Sequence, residues 1–318
     1  GGMKVTALLQ TPAADGLYHK GIIMSGVQGG AFFDAVGSGR RMGEIMLDHL
    51  GISTVQEMEN VPYQDLVSAF KQARYELRPQ KINSGETPCR NSFYAGDPLE
   101  VPFRKETANI PLIIGSTFAE FNGFGMIGID RKNITDEESV KTIEDKLGKK
   151  LADEAIPLFR QAYPERKIID LLGLDFMFRE YITSYIERRS ALNNCTWDYI
   201  FNLDGPMRGG QLPPHCADIP FVFRNTELVP ATQQVGVTQK VEKQIFDTVM
   251  AFVKTGNPNN CSIPQWESDT PKEFHTMVFD ENTGVRTNFD RKLIKAMSSS
   301  CLDDMVKNIL TGVAKKPD

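Results

Sequence analysis

A histidine approached through two prolines is the residue here whose surroundings best suit proton transfer. In Leu212-Pro213-Pro214-His215-Cys216-Ala217-Asp218-Ile219-Pro220-Phe221-Val222-Phe223, His215 follows an irregular Pro-Pro segment and precedes a small residue, an acid and an apolar run. The chain has four histidines, and only this one has such loop-like surroundings. Loops on a rigid scaffold are where catalytic side chains collect, and an imidazole titrates near neutral pH as a general base must. A second candidate is Glu120, in Ile110-Pro111-Leu112-Ile113-Ile114-Gly115-Ser116-Thr117-Phe118-Ala119-Glu120. There an apolar strand runs into a small polar turn and delivers a carboxylate just beyond its end, where sites form in open α/β sheets. Taken locally, each also reads as a solvated loop or turn residue.

The elements that would position these residues alternate in type. Residues 3–9 carry a helical apolar pattern, and Gly21-Ile22-Ile23-Met24-Ser25-Gly26 reads as a short buried strand ending in a turn. Helix then buried strand is the rhythm of an α/β protein. Met42, Ile45, Met46, His49 and Leu50 share one helical face stopped by Gly51, which makes His49 a packed structural histidine. Another short helix is expected over 60–73 and a long loop over 78–101. Residues 136–192 read as mostly helical. Within them Phe178, Tyr181, Ile182, Tyr185 and Ile186 form an aromatic stripe of the kind that more often fills a core than lines a ligand site, with a face to both as the alternative. Strands are expected at Thr196–Leu203 and Thr276–Phe279, with His275 at the exposed start of the second. Val241 to Lys254 reads as an amphipathic helix closed by Gly256 and Pro258, and a last helix starts near Asp290.

With 41% apolar and 24% charged residues the composition is that of a soluble globular protein, and 318 residues suffice for one large domain or two small ones. No repeat, low-complexity region or composition shift marks a second domain. A net charge of −5 argues against nucleic acid as a partner, and no apolar run reaches the length of a membrane span. Cys89, Cys195, Cys216, Cys261 and Cys301 are odd in number and lack metal-site spacing, so no metal is expected. Reduced thiols in a cytoplasmic protein are the simpler reading, with one or two disulfides as the alternative. Sequons begin at Asn133, Asn194 and Asn260, a pattern short enough to arise by chance.

Four stretches in order resemble the type-B carboxylesterase (cholinesterase-like) family of α/β-hydrolases. They are Gly1-Gly2 with Ala7-Leu8-Leu9 and residues 16–26, the strand and turn to Glu120, the His215 loop, and Phe252–Asn259 with Pro264-Gln265-Trp266. Each is weak alone; four in order across nearly the whole chain are specific. The resemblance implies an α/β-hydrolase fold with a mixed, mostly parallel sheet flanked by helices. It reads residues 1–318 as the C-terminal portion of a single carboxylesterase domain, with the N-terminal part of the sheet missing.

It further implies a triad in the chain order Ser, Glu, His, with Glu120 at the acid and His215 at the base. Gly1 and Gly2 match the glycines that end the G-x-S-x-G nucleophile elbow, which puts the nucleophilic serine two residues before Gly1. A competing reading makes Met3 the start of the chain. Ser25 matches a serine that can hydrogen-bond the triad acid, and Phe32 and Phe124 match positions that line the acyl pocket. The implied activity is hydrolysis of a small-molecule carboxylic ester through an acyl-enzyme, without metal or organic cofactor, by a monomer or homodimer. This chain alone is expected to be inactive. The alternative is a non-catalytic binding or adhesion protein on the same fold. Two departures from the family pattern stand out: Phe121 follows the acid where glycine is usual, and Cys216 follows His215 where a smaller residue is common.

Overall fold

Leu112–Thr117 is an apolar run with no charged side chain, so it can lie where both faces and both edges of a strand are covered. A computed structural model describes residues 1–27, 38–77, 88–121, 126, 128–207 and 210–300. In it this run is strand β2, buried throughout, with β1 (Gly21–Met24) on one side and β3 (Thr196–Phe201) on the other. Both pairings are parallel, Gly21 opposite Leu112 and Leu112 opposite Thr196. β4 (His275–Phe279) continues the parallel set beside β3, and β5 (Gly284–Thr287) closes the order β1-β2-β3-β4-β5 as an antiparallel edge.

Parallel neighbours require crossovers, and helices supply them. α1 (Gly2–Leu9) precedes β1, and α2 (Ser38–Leu50) and α3 (Tyr63–Leu77) lie between β1 and β2. α4 (Asp136–Leu147), α5 (Lys149–Ala162) and α6 (Met177–Ser190) link β2 to β3. α7 (Ile219–Val222) and α8 (Thr238–Thr255) link β3 to β4, and helical residues 291–300 follow β5. The period-2 alternation divides the sheet's side chains between two cores. Leu112 and Ile114 pack with Phe178, Ile182 and Tyr185 of α6, and Ile200 and Val278 with α5 and residues 293–297. Ile113, Trp197, Tyr199, Phe201, Met277 and Phe279 face Val241, Ile245 and Phe252 of α8. Helix stops fall where glycine allows them: Gly256 ends α8 at φ 82°, its N–H donating to Phe252 O.

His49 departs from expectation. It lies on the exposed side of α2 and bonds Glu76 of α3 at 2.7 Å, so an ion-pair partner on the next helix outweighs the apolar stripe beside it. β5 had no counterpart in the sequence reading. Its hairpin turn is set by Asp280, whose Oδ1 accepts from Asn282 N at 2.7 Å and whose carbonyl accepts from the Thr283 hydroxyl at 2.9 Å.

Candidate active site

Because β1, β2 and β3 run parallel, their carboxyl ends meet at one edge of the sheet, and each delivers a polar side chain there. Past β2, Thr117 and Glu120 close a tight turn: Thr117 N–H donates to Glu120 Oε1 at 2.7 Å, and Glu120 N–H to the Thr117 hydroxyl at 3.1 Å. Past β1, Ser25 takes the left-handed conformation at φ 49°, unusual for a non-glycine residue. That turn aims its hydroxyl at Glu120 Oε1, 2.5 Å away. The His215 loop runs back along the β2 turn, with Ala119 N–H donating to Pro213 O and His215 N–H to Glu120 O, both at 3.1 Å. Its near end is clamped by Arg131, which bonds Gly210 O at 2.7 Å and pairs with Asp204 at 2.7 Å.

The outcome is a direct contact between His215 Nδ1 and Glu120 Oε2 at 2.5 Å. Glu120 is buried, while the His215 side chain remains about a third exposed. The carboxylate divides its oxygens, Oε2 taking the imidazole N–H and Oε1 taking Ser25 and the Thr117 amide. With Nδ1 so engaged as donor, Nε2 is the ring atom left to accept a proton. The Glu120 bond raises the pKa of His215 above 6.5; burial opposes this, and the charges of Glu120 and Asp218 add to it.

Aromatic rings enclose the imidazole. Phe121, the departure from the family's glycine, lies 4.6 Å from it between ring centroids, and Phe178 of α6 stacks at 6.1 Å. The α6 stripe thus fills the core and also braces the site. Cys216, the other departure, has φ 70°, which explains why a residue without a Cβ suits this position. Burial first, then Asp218 and Glu120, push its thiol up, so it is not a thiolate waiting to attack. A cavity of about 170 Å³ opens beside His215, lined by Pro213, Pro214, Phe221, Val229 and Ala231 among others.

Gly1 and Gly2 come to the same edge. Gly1 lies near enough to His215 to influence it. Gly2 packs on the turn after β1, where a Cβ would come within 2.5 Å of Met24 O, and the Thr6 hydroxyl lies 3.0 Å from the carbonyl oxygens of both Gly2 and Gly26. The structure therefore gathers Glu120, His215, Ser25 and the start of α1. Phe32 and Phe124 lie outside the described residues.

The description Carboxylesterase family belongs to a family model matching residues 1–296. The chain belongs to the carboxylesterase family. Among its curated relatives, the para-nitrobenzyl esterase of Bacillus subtilis (strain 168) is 26% identical over 301 residues, covering 91% of the chain and 58% of the relative. The phenmedipham hydrolase of Pseudarthrobacter oxydans is 24% identical over 313 residues, covering 92% and 60%. Among solved structures, a Clostridium hathewayi esterase that can hydrolyze aliphatic aromatic polyesters superposes with a TM-score of 0.86 at 35% identity, over 94% of this chain and 60% of that one. The chain thus spans about 60% of the length of the relatives it matches. Its sheet and flanking helices are those of the α/β-hydrolase fold.

Sequence reasoning missed Phe121 and Phe178 as neighbours of the imidazole, and Thr117 as a donor to the acid. The Thr117 signal is local: a hydroxyl residue three positions before a carboxylate, able to close a reciprocal turn. The aromatic contacts have no local signal, since they depend on where α6 lies.

Proposed function

We propose that the protein carrying this chain hydrolyses small carboxylic esters through a serine–glutamate–histidine triad, with Glu120 as acid and His215 as base. The nucleophilic serine precedes Gly1 by two residues, and the described chain is the C-terminal portion of one carboxylesterase domain. The observation that carries this reading is the 2.5 Å contact of buried Glu120 with Nδ1 of the partly exposed His215, which leaves Nε2 as the ring atom able to accept a proton. A serine hydroxyl is a weak nucleophile until a neighbouring imidazole takes its proton. His215 Nε2 accepts that proton as the hydroxyl attacks the ester carbonyl, then returns it to the departing alkoxide. Glu120 holds the tautomer and stabilises the imidazolium. Water repeats the cycle on the acyl-enzyme. Ser25 and the Thr117 amide fix Oε1, so Oε2 stays aimed at the ring.

Ester hydrolysis fits the company the chain keeps, namely a para-nitrobenzyl esterase and an esterase that can hydrolyze polyesters. The test is turnover of p-nitrophenyl acetate by the full-length protein and its His215→Ala variant. We expect a loss of roughly 10⁴-fold or more in kcat. Unchanged turnover in His215→Ala would remove His215 from the mechanism.

A further inference from the structure

The residue after the proposed acid stands where burial does not explain it. Phe118, Ala119 and Glu120, just past β2, are all buried, yet Phe121 beside them is 42% exposed. A phenyl ring left at the surface gains little from the hydrophobic effect that fills a core. Its place is set by the backbone instead. His215 N–H donates to Glu120 O at 3.1 Å, so the β2 turn and the histidine loop run side by side. Phe121 there meets the imidazole with ring centroids 4.6 Å and planes 32° apart. Phe178 lies 5.9 Å from Phe121 and 6.1 Å from the imidazole. Centroids so spaced form a triangle, whereas two rings on opposite faces of the imidazole would stand much farther from each other. Both phenyl rings are thus on one side of His215. Phe178 is 2% exposed, and its amide donates to Asp175 Oδ1 at 3.2 Å, which gives Phe121 a fixed ring to rest on.

We propose that Phe121 is a specificity-determining residue of the ester-hydrolysing site, whose exposed ring selects esters carrying an aryl group over saturated esters of the same size. This rests on the triad reading above. Aromatic rings attract one another, offset or edge to face, at centroid separations of roughly 4.5–7 Å, because the electron-rich face of one meets the electron-poor edge of the other. A saturated ring has no such edge and gains only its apolar contact. Phe178 and the imidazole cover part of Phe121, and the rest of the ring is open to solvent. An aryl group seated there is one ring contact from the imidazole. In a benzyl ester or a phenylacetate ester the carbonyl is only two or three bonds from the ring. That link is short enough for the carbonyl to stand at the base while the ring rests on Phe121. Because Phe178 already holds Phe121, little side-chain freedom remains to be lost on binding. The glycine usual at this place in the family offers no such surface.

The experiment measures kcat/KM of the full-length protein for two matched pairs of esters, benzyl acetate with cyclohexylmethyl acetate and ethyl phenylacetate with ethyl cyclohexylacetate. Within each pair the only difference is whether the ring is aromatic. Phe121→Leu keeps an apolar side chain without the ring, Phe121→Gly removes the side chain, and Phe121→Tyr keeps the ring. The aromatic-to-saturated ratio should fall roughly 2- to 10-fold in Phe121→Leu and Phe121→Gly and hold in Phe121→Tyr. A fall in the first pair assigns the aryl group to the departing alcohol, and a fall in the second assigns it to the acyl group; either supports the proposal. A merely structural role would lower both members of a pair alike, or the melting temperature, and leave the ratios in place. Unchanged ratios in Phe121→Leu overturn the proposal, and if that variant fails to fold, unchanged ratios in Phe121→Gly do so. A ratio that falls as far in Phe121→Tyr overturns it as well. Turnover that depends on His215 with unchanged ratios refutes only the role of Phe121. Turnover indifferent to His215→Ala refutes the triad reading and this proposal with it.

Discussion

At the scale of single residues, the site depends on how one carboxylate is divided. Glu120 gives Oε2 to His215 and Oε1 to Ser25 and the Thr117 amide, so three donors approaching from three segments leave the acid one orientation. The pH consequence has a definite sign. Because Glu120 raises the pKa of His215, the imidazole keeps its proton to higher pH than an ordinary histidine, and the free base that the proposed triad requires appears later. The acid-side inflection of kcat/KM in the full-length protein should thus lie above 6.5. In Glu120→Gln it should fall below the wild-type value, with kcat reduced roughly 10³–10⁴-fold as the tautomer is lost. A pH–rate profile of the two proteins checks both. At this scale the sequence was informative: a carboxylate past an apolar strand and a histidine past two prolines each carry a local signature. The hydrogen bond from the Tyr199 hydroxyl to buried Asp218 at 2.7 Å carries none, because a tyrosine in a β-strand is an ordinary core residue until its hydroxyl's partner is known.

At the scale of elements, close backbone approach governs the site's edge. α1 begins against the turn after β1, and a Cβ at Gly26 would lie 2.1 Å from the Gly2 carbonyl carbon, a clash with backbone that no side-chain rotation relieves. Gly26→Ala should cost roughly 1–3 kcal/mol of stability by overpacking. It should also push the start of α1 away from His215. A thermal melt reads the first effect and ester turnover the second; an unchanged melting temperature would show that α1 packs elsewhere. The helices and the parallel strands were legible from apolar periodicity and glycine stops. The pairing of Gly2 with Gly26 was not, since periodicity reports which face of an element is buried and not what it meets. The same limit explains His49, whose partner Glu76 lies on a different helix. β5 escaped because its four residues, Gly-Val-Arg-Thr, are too short and too exposed for alternation to register.

At the scale of the whole molecule, a buried ionic cluster joins the elements that the sheet alone does not. Arg179 of α6 pairs with Asp198 of β3 at 2.6 Å and with Asp290, just before the helical residues 291–300, at 2.7 Å. Its Nη2 donates to Thr276 of β4 at 3.1 Å, and the Thr276 hydroxyl donates to Asp198 at 2.6 Å. All four side chains are almost wholly buried. Replacing Arg179 would leave two carboxylates in the core without their cation, so Arg179→Leu should destabilise the full-length protein by roughly 3–5 kcal/mol. Chemical denaturation measures this, and a loss under about 1 kcal/mol would mean that the acids find protons or water at little cost. One turn before Arg179, Asp175 accepts from the amides of Met177, Phe178 and Arg179 and fixes the start of α6. The cluster and this cap thus hold Phe178 against His215. None of this was visible in sequence, because an arginine within an aromatic stripe reads as one polar residue on a helix face. The family pattern nevertheless singled out Glu120 and His215, which the structure brings into contact, since it encodes the end of a strand and the course of a loop, which is where parallel topology gathers side chains.

The claim that His215 and Glu120 activate a serine preceding Gly1 is tested most directly by a fluorophosphonate, which phosphonylates an activated serine. The full-length protein would be labelled, digested and mapped by mass spectrometry alongside His215→Ala. We expect one labelled serine, two residues before Gly1, and loss of the label in the variant. Label on Ser25 or Cys216, no label at all, or labelling undiminished in His215→Ala would contradict the account.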